Sequence, residues 1–401
     1  MKKIKVLRII ARLNIGGPAI HTVLLTDGLD KNKFKTLLVC GSLWQDEGDM
    51  LYYAKEKNVK PYYIEELNRN LNFLQDMLAL KKIYTLIKKE KPDIIHTHTA
   101  KAGTLGRLAG ILYNFTHLCK SNKIRLVHTF HGHVFRGYFS NLKTNLFVLI
   151  ERVLAIFTTK IITVSESVKQ ELIDLCICKE DKIAVVPLGL ELEKFQNIDQ
   201  RNEKILNIGI IGRLVPIKNH RLFLDAAAML IQDEQNTKFR FKIIGDGELK
   251  EQLRDYAYKL KVDSYIDFLS WQKDLVKVYS DLDVVALTSI NEGTPVSLIE
   301  AMAAGKIVIA TDVGGVSELL GSKIQEDISP NINFKILERG IMIRSGESCG
   351  LASALKFVLQ NRQFCNGIAQ SGRNFVIKKF TKERLIRDME DLYSRLLTPT
   401  Y

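Results

Sequence analysis

Short apolar runs and amphipathic stretches alternate along most of the chain. Residues 5–11, 35–40, 59–64, 93–97, 125–130, 161–164 and 183–187 are rich in Val, Ile and Leu and read as strands. Near-continuous apolarity of this kind marks a parallel sheet covered on both faces. Helical patterns fall between them, for instance over 71–89 and 103–113. A polar stretch without periodicity spans 190–204, and then the rhythm restarts. Residues 206–211, 239–244, 265–269, 284–288, 307–310 and 341–343 are the next strands. The pattern predicts an α/β fold of two Rossmann-like, doubly wound parallel-sheet domains in tandem, 1–195 and 196–381. A last helix near 382–401 carries an apolar face (Leu385, Ile386, Met389, Leu392, Leu396) that can pack on either domain.

Composition narrows this picture by exclusion. A chain of 401 residues, 46% hydrophobic and 26% charged, with 25 Gly and 8 Pro, is neither disordered nor low-complexity. No apolar run reaches the roughly 18–20 residues of a spanning helix; the longest, 145–157, is broken by Glu151 and Arg152. The first ten residues regain Arg12 too soon for a signal peptide and read as a strand. Cys176 and Cys178 form a C-x-C pair, but no second pair follows at zinc spacing. Reduced cysteines in a cytosolic protein are the expectation.

Charge divides the chain unevenly. Residues 1–195 hold 30 basic and 19 acidic side chains, whereas 196–401 hold 28 and 26. Between positions 94 and 150 stand Lys101, Arg107, Lys120, Lys123, Arg125, Arg136 and Lys143 with no acid among them. The stretch reads either as an ordinary solvated surface or as a face for an anionic partner, nucleic acid or lipid headgroup.

Ligands of such sheets bind beyond the carboxyl ends of the strands, so the loops there carry the candidate chemistry. Arg12-Leu-Asn-Ile-Gly16-Gly17-Pro18 follows the first strand, and paired glycines let backbone approach an anion at a helix start. It is not a G-x-G-x-x-G fingerprint, and no G-x-x-x-x-G-K-S/T phosphate loop occurs. The most informative stretch is Asn291-Glu292-Gly-Thr-Pro-Val-Ser-Leu-Ile-Glu300-Ala-Met-Ala-Ala-Gly305. Thr294 is placed to cap a helix with Pro295 at its first position. Glu292 then ends a strand and Glu300 lies in the helix, roughly 12 Å away at about 1.5 Å per helical residue. That exceeds the at most about 9.5 Å between paired glycosidase carboxylates. It suits two distant hydroxyl-rich groups on one extended ligand. Asp281-Leu-Asp283 has the spacing of a metal-binding D-x-D, but it precedes a buried strand at a helix end and reads as structural. His96 and His98 close another first-domain strand and read as acceptor-side or structural residues.

Taken with Gly212-Arg213-Leu-Val-Pro-Ile-Lys218-Asn219 and Ala310-Thr-Asp-Val-Gly314-Gly315-Val-Ser-Glu318, the two-glutamate stretch resembles the retaining glycosyltransferases of family 4. Their fold is GT-B, two Rossmann-like domains facing across a cleft, and the resemblance covers nearly the whole chain. It implies that Arg213 and Lys218 hold the diphosphate of a nucleotide-sugar donor, a UDP-sugar being favoured, and that Glu300 binds the ribose hydroxyls. It further implies that Glu292, with the amides of Gly293, Thr294, Pro295, Val296 and Ser297 where present, engages the donor sugar and its phosphate. Thr129-Phe130-His131 matches the first-domain histidine loop, placing His131 beside the transferred sugar, with His133 a looser candidate. Gly16 and Gly17 match the glycine loop near the diphosphate and acceptor.

A guanidinium, an ammonium and helix N-terminal amides stabilise a departing diphosphate without a metal, so no cofactor is expected. Retention by front-face attack needs no separate general base. The expected partners are a nucleotide sugar and a lipid-linked or glycan acceptor in surface polysaccharide or glycolipid assembly. An anionic membrane surface is expected too, met by Phe135, Arg136, Tyr138, Phe139 and Lys143 on the inner face of the cell membrane. A nucleotide-sugar epimerase of the same build is the alternative enzyme, though it is not expected to carry the Arg213, Lys218, Glu292 and Glu300 set. A basic nucleic-acid-binding protein is the non-enzymatic alternative, and no groove-reading or stacking motif supports it.

Overall fold

The computed structural model describes residues 2–43, 48–68, 72–117, 123–132, 141–198, 205–234, 239–324 and 333–398. The chain divides into two compact units, Met1–Leu190 with Lys382–Tyr401, and Glu191–Thr381. The division differs from the expected 1–195 by a few residues for a packing reason. Leu192 and Phe195 are fully buried, and the Phe195 ring meets Tyr279 edge-on at 5.3 Å. The stretch read as polar linker therefore begins the second unit.

The first unit holds a seven-stranded sheet: β1 (Ile4–Ile10), β2 (Phe34–Cys40), β3 (Tyr62–Tyr63), β4 (Ile94–His98), β5 (Arg125–Phe130), β6 (Lys160–Thr163) and β7 (Ile183–Val185). Their order is β3-β2-β1-β4-β5-β6-β7, every pair parallel. The strand expected over 59–64 shrinks to the exposed edge pair Tyr62–Tyr63. The helix Ala100–Thr116 lies close upon β4 and β5 because it presents Gly103, Gly106 and Gly110 to them. A Cβ at these positions would come within 2.5 Å of His128, 2.6 Å of Thr97 and 2.5 Å of Leu126. Arg107 of that helix is fully buried and forks onto both Glu151 oxygens at 2.7 Å.

The helix Lys382–Leu397 packs on this first unit. Leu385, Met389 and Tyr393 join Val6, Leu25 and Phe34 in one apolar cluster, and Arg384 donates to the carbonyls of Pro187 and Leu188.

The second unit repeats the plan with β8 (Leu206–Ile211), β9 (Phe239–Ile244), β10 (Ile266–Leu269), β11 (Val284–Leu287), β12 (Ile307–Thr311), β13 (Phe334–Leu337) and β14 (Gly340–Ile343). The order is β10-β9-β8-β11-β12-β14-β13, parallel except that β13 runs antiparallel to β14. In each unit the strand order reverses beside the first strand, between β1 and β4 and between β8 and β11. Ligands of doubly wound sheets sit at such switch points.

Candidate functional site

In the second unit the loops after β8 and β11 meet at the switch point. After β8 the chain makes a single 3-10 turn, Pro216–Lys218, and leaves it through Asn219 at φ 47°. The Thr288 hydroxyl donates to the carbonyls of Lys218 (2.9 Å) and Asn219 (3.0 Å), and Ile290 N–H donates to Ile217 O at 2.9 Å. These bonds fix the Lys218 ammonium, which pairs with Glu292 Oε1. Ser289 Oγ donates to the same oxygen at 2.6 Å. Arg213 stands exposed on the same loop, and its guanidinium has no partner among the described residues.

The helix Val296–Ala303 follows. Its N-cap is Pro295 in an extended conformation, with no side-chain cap, so the expected Thr294 cap is not formed. Pro295 itself takes the cap position, and the buried Thr294 Oγ1 is left without a partner. The first-turn N–H groups from Val296 onward are therefore open to an anion. At the other end Gly305, at φ 67°, closes the helix: Gly305 N–H donates to Met302 O and Lys306 N–H to Ala301 O, each at 2.9 Å. Gly293 is held by Gly315, whose N–H donates to its carbonyl at 3.0 Å. Glu300 and Ser297 lie within the helix. Glu300 is buried, and the Tyr279 hydroxyl shares its proton between Glu300 Oε2 (2.9 Å) and Ser297 O (3.1 Å). Burial pushes the Glu300 carboxyl up to about 7, against the lowering pull of the Tyr279 hydrogen bond and Lys194.

Asp281 and Asp283 are structural. Asp281 accepts from the Asn207 amide and Lys242, and Asp283 from Asn207 N–H and Arg362. No cluster of three or more metal-binding side chains occurs among the described residues.

In the first unit the corresponding loops are lined by imidazoles. Gly16, at φ 155°, ends the β1 loop, and the helix Gly17–Gly28 starts directly after it with Pro18 in its first turn. His98 ends β4, and Thr99 beyond it is forced to φ 67°, a strained value for a β-branched residue. His131 follows β5, half-buried, and its Nε2 lies 2.9 Å from His98 Nδ1. The His21 ring stands edge-on to both, with centroids 5.0 Å from His131 and 5.6 Å from His98. Burial holds His21, His96, His98 and His128 well below the usual histidine range and His131 down to about 3. All five are neutral at pH 7.

His133 and the aromatic-basic run of Phe135, Arg136, Tyr138 and Phe139 lie outside the described residues. Of the other basic residues between 94 and 150, two are drawn inward: Arg107 onto Glu151, and Lys101 onto Asp76 at 2.6 Å. Tyr279, Ser289 and His21 had no sequence signal of their own, because each acquires its role from a partner brought in by the fold.

Comparison with known proteins gives one consistent result. The model of Glycosyltransferase Family 4 matches residues 15–194, and that of Glycosyl transferases group 1 matches residues 192–375. The chain is 28% identical over 376 residues to a UDP-Gal:alpha-D-GlcNAc-diphosphoundecaprenol alpha-1,3-galactosyltransferase of Escherichia coli, covering 91% of this chain and 90% of that one. It is 24% identical to the capsular polysaccharide biosynthesis glycosyltransferase CapM of Staphylococcus aureus, covering 85% and 88%. Among solved structures, Anabaena HepE in complex with UDP superposes with a TM-score of 0.76 at 18% identity, over 98% of this chain and 100% of that one.

Proposed function

The chain belongs to the family 4 glycosyltransferases of GT-B fold, and we propose that it moves a sugar from a UDP-sugar, with retention, to a lipid-linked acceptor in surface polysaccharide or glycolipid assembly. The observation that carries this reading is the meeting of Lys218, Glu292 and the uncapped helix Val296–Ala303 at one switch point, with Glu300 buried in the same helix. In the unliganded protein Glu292 holds the Lys218 ammonium. A diphosphate takes that ammonium, Arg213 and the open helix amides, and so frees Glu292 for the donor sugar. Charge on the leaving diphosphate is answered where it grows, by groups already in place, and the reading includes no metal or cofactor. Glu300 receives the ribose hydroxyls, and His131, with the Gly16–Gly17 loop, serves the sugar and acceptor side. The lipid-linked acceptor is suggested by the undecaprenol-linked substrate in the name of the Escherichia coli relative.

Calorimetry of UDP binding tests the donor site. Glu300→Ala loses hydrogen bonds to a charged acceptor, about 1.5–3 kcal/mol, so affinity falls about tenfold or more. An unchanged affinity overturns the assignment.

The reading places the enzyme on the cytoplasmic face of the cell membrane, docked on anionic lipid. No helix among the described residues is long and apolar enough to cross a bilayer. What supports docking is the helix Asn141–Phe157, which exposes Leu146, Leu149, Val153 and Ile156 at spacings of three and four residues. At its end the exposed Phe157 ring meets Phe115, and the Lys182 ammonium lies 2.9 Å from Ile156 O. Apolar side chains with cations at their margin suit a headgroup layer. Sedimentation with anionic but not neutral vesicles, weakened by salt and abolished by Leu149→Glu with Ile156→Glu, is the expected result. Binding that ignores lipid charge refutes it.

A further inference from the structure

The helix Phe73–Glu90 of the first unit breaks the amphipathic rule at one end only. Its inward side is ordinary, with Ala79, Ile83, Leu86 and Ile87 buried at helical spacing. Outward, Phe73, Leu74, Met77 and Leu78 are exposed, the first two at 77% and 73%, more than any other large apolar side chain described in this unit. From Lys81 onward the outward side turns polar, with Lys81, Lys82, Lys88 and Lys89 all exposed. Asn72 caps the helix by accepting from Gln75 N–H at 3.2 Å. The first turn is therefore formed, and its apolar side chains stand on fixed backbone.

Topology fixes which end this is. A helix that crosses between parallel strands begins at the carboxyl edge of the sheet and ends at the amino edge. Asp93, just past the helix, accepts from Lys5 N–H at 2.7 Å near the start of β1, so the lysine end lies at the amino edge. At the other end Asp76 pairs with Lys101 at 2.6 Å, and Lys101 stands three residues beyond His98 at the close of β4. The apolar patch is thus one ion pair away from the loops of the switch point, and it is confined to that end. The helix Asn141–Phe157 differs, because its exposed apolar side chains run from Leu146 to Phe157.

We propose that Phe73, Leu74, Met77 and Leu78 form a subsite for the isoprenoid chain of the acceptor. This subsite presupposes the lipid-linked acceptor of the proposed function and adds where its chain lies on the protein. The patch spans about 8 Å along the helix at roughly 1.5 Å per residue, two side chains wide, which suits one hydrocarbon chain laid along it. Four side chains offer a few hundred Å², well short of the roughly 800 Å² a side that a stable second copy needs. Charge points the same way. An uncharged chain takes only the apolar end, whereas an anionic surface would be met along the lysine end as well. Burial of the chain against the patch supplies affinity without direction, and the unbranched Met77 adapts to a methyl-branched ligand.

The test is calorimetric binding of dimethylallyl, geranyl and farnesyl diphosphates, below micelle-forming concentrations, to the full chain saturated with UDP. Saturation keeps their head group out of the donor site. In the wild type affinity is expected to rise about tenfold per added isoprene unit. In Phe73→Ser with Met77→Ser the rise falls to about twofold or less, while UDP affinity is unchanged. The milder Leu74→Ser gives an intermediate rise, and Leu149→Glu with Ile156→Glu keeps the wild-type rise. No dependence on chain length in the wild type, or an undiminished rise in both serine variants, overturns the proposal. Loss of sedimentation with acceptor-free anionic vesicles in the double serine variant overturns it too, by making the patch a membrane contact. A halved mass by light scattering does the same, by making it an interface between copies. Because the rise is read without sugar transfer, the two readings fail separately. A rise that persists without transfer to any lipid-linked acceptor strikes the acceptor reading, and transfer without a rise strikes the subsite.

Discussion

Residues 1–195 carry 30 basic and 19 acidic side chains and residues 196–401 carry 28 and 26, yet the loops at the carboxyl ends of the two sheets are furnished the other way round. The basic half presents neutral imidazoles, with His21 edge-on to His131 and His98 tilted against it. The nearly neutral half presents Arg213, the Lys218–Glu292 pair and a buried glutamate. Net charge is set by the whole surface, whereas chemistry is set by a few groups whose surroundings are fixed. The neutral set suits hydroxyl groups, and the charged set suits a diphosphate. Summed over hundreds of residues, charge does not locate the ionic step.

The largest effect that would break this contrast is acid lability. Five histidines of the first unit, His21, His96, His98, His128 and His131, are held neutral by burial, so their unfolded forms bind more protons as pH falls. Their contribution is complete above about 6.5 and is lost on acidification toward their lowered folded values, about 3 for His131. At pH 5 a single such group costs up to about 2 kcal/mol. The second unit has His220, lowered to about 4, as its counterpart. Hydrogen exchange between pH 7 and 5 is expected to loosen Met1–Leu190 well before Glu191–Thr381. Equal loosening means that the imidazoles are not neutral as described.

Second in size is Lys218→Ala, which removes one preorganised cation from the leaving-group side. Turnover is expected to fall about a hundredfold or more, with donor affinity changed far less. Steady-state and binding measurements separate the two, and an equal loss in both places Lys218 in ground-state binding only. The smallest effect belongs to Glu300. Its folded value near 7 lies above the ordinary 4.5, so its contribution to stability is present below about 4.5 and is lost as pH rises toward 7. Glu300→Gln cannot ionise. It should therefore be up to about 3 kcal/mol more stable than wild type at pH 8 and no more stable at pH 4.5. Denaturant titration at the two values reads the difference, and a gain at both would place its origin in packing.

The fold was legible because buried parallel strands are long apolar runs, and all but two of the observed strands lie within a residue or two of the expected ranges. The failures are short edge elements. Only Tyr62–Tyr63 of the 59–64 run pairs with β2, and β13 escaped notice because four residues beside an antiparallel partner show no rhythm. Of the site, Lys218, Glu292 and Glu300 were visible through the motifs that carry the family resemblance, before any contact was known. Tyr279 was not, because its relation to Glu300 spans 21 positions, and neither was the link of His96 to Tyr393 across 297. Thr294 misled for a local reason: with Pro295 extended the helix starts one residue later, beyond the reach of the threonine hydroxyl.

The return of the helix Lys382–Leu397 to the first unit has a consequence for how the protein is made. Synthesis proceeds from the amino end, and domains ordinarily close in the order in which they emerge. Here the whole of Glu191–Thr381 leaves the ribosome before the segment that completes its predecessor. Until then Val6, Leu25 and Phe34 lack the apolar face of that helix, and His96 Nδ1 lacks the Tyr393 hydroxyl as its partner. The half translated first is the half finished last, and its histidine layer sets only when the later half is already whole.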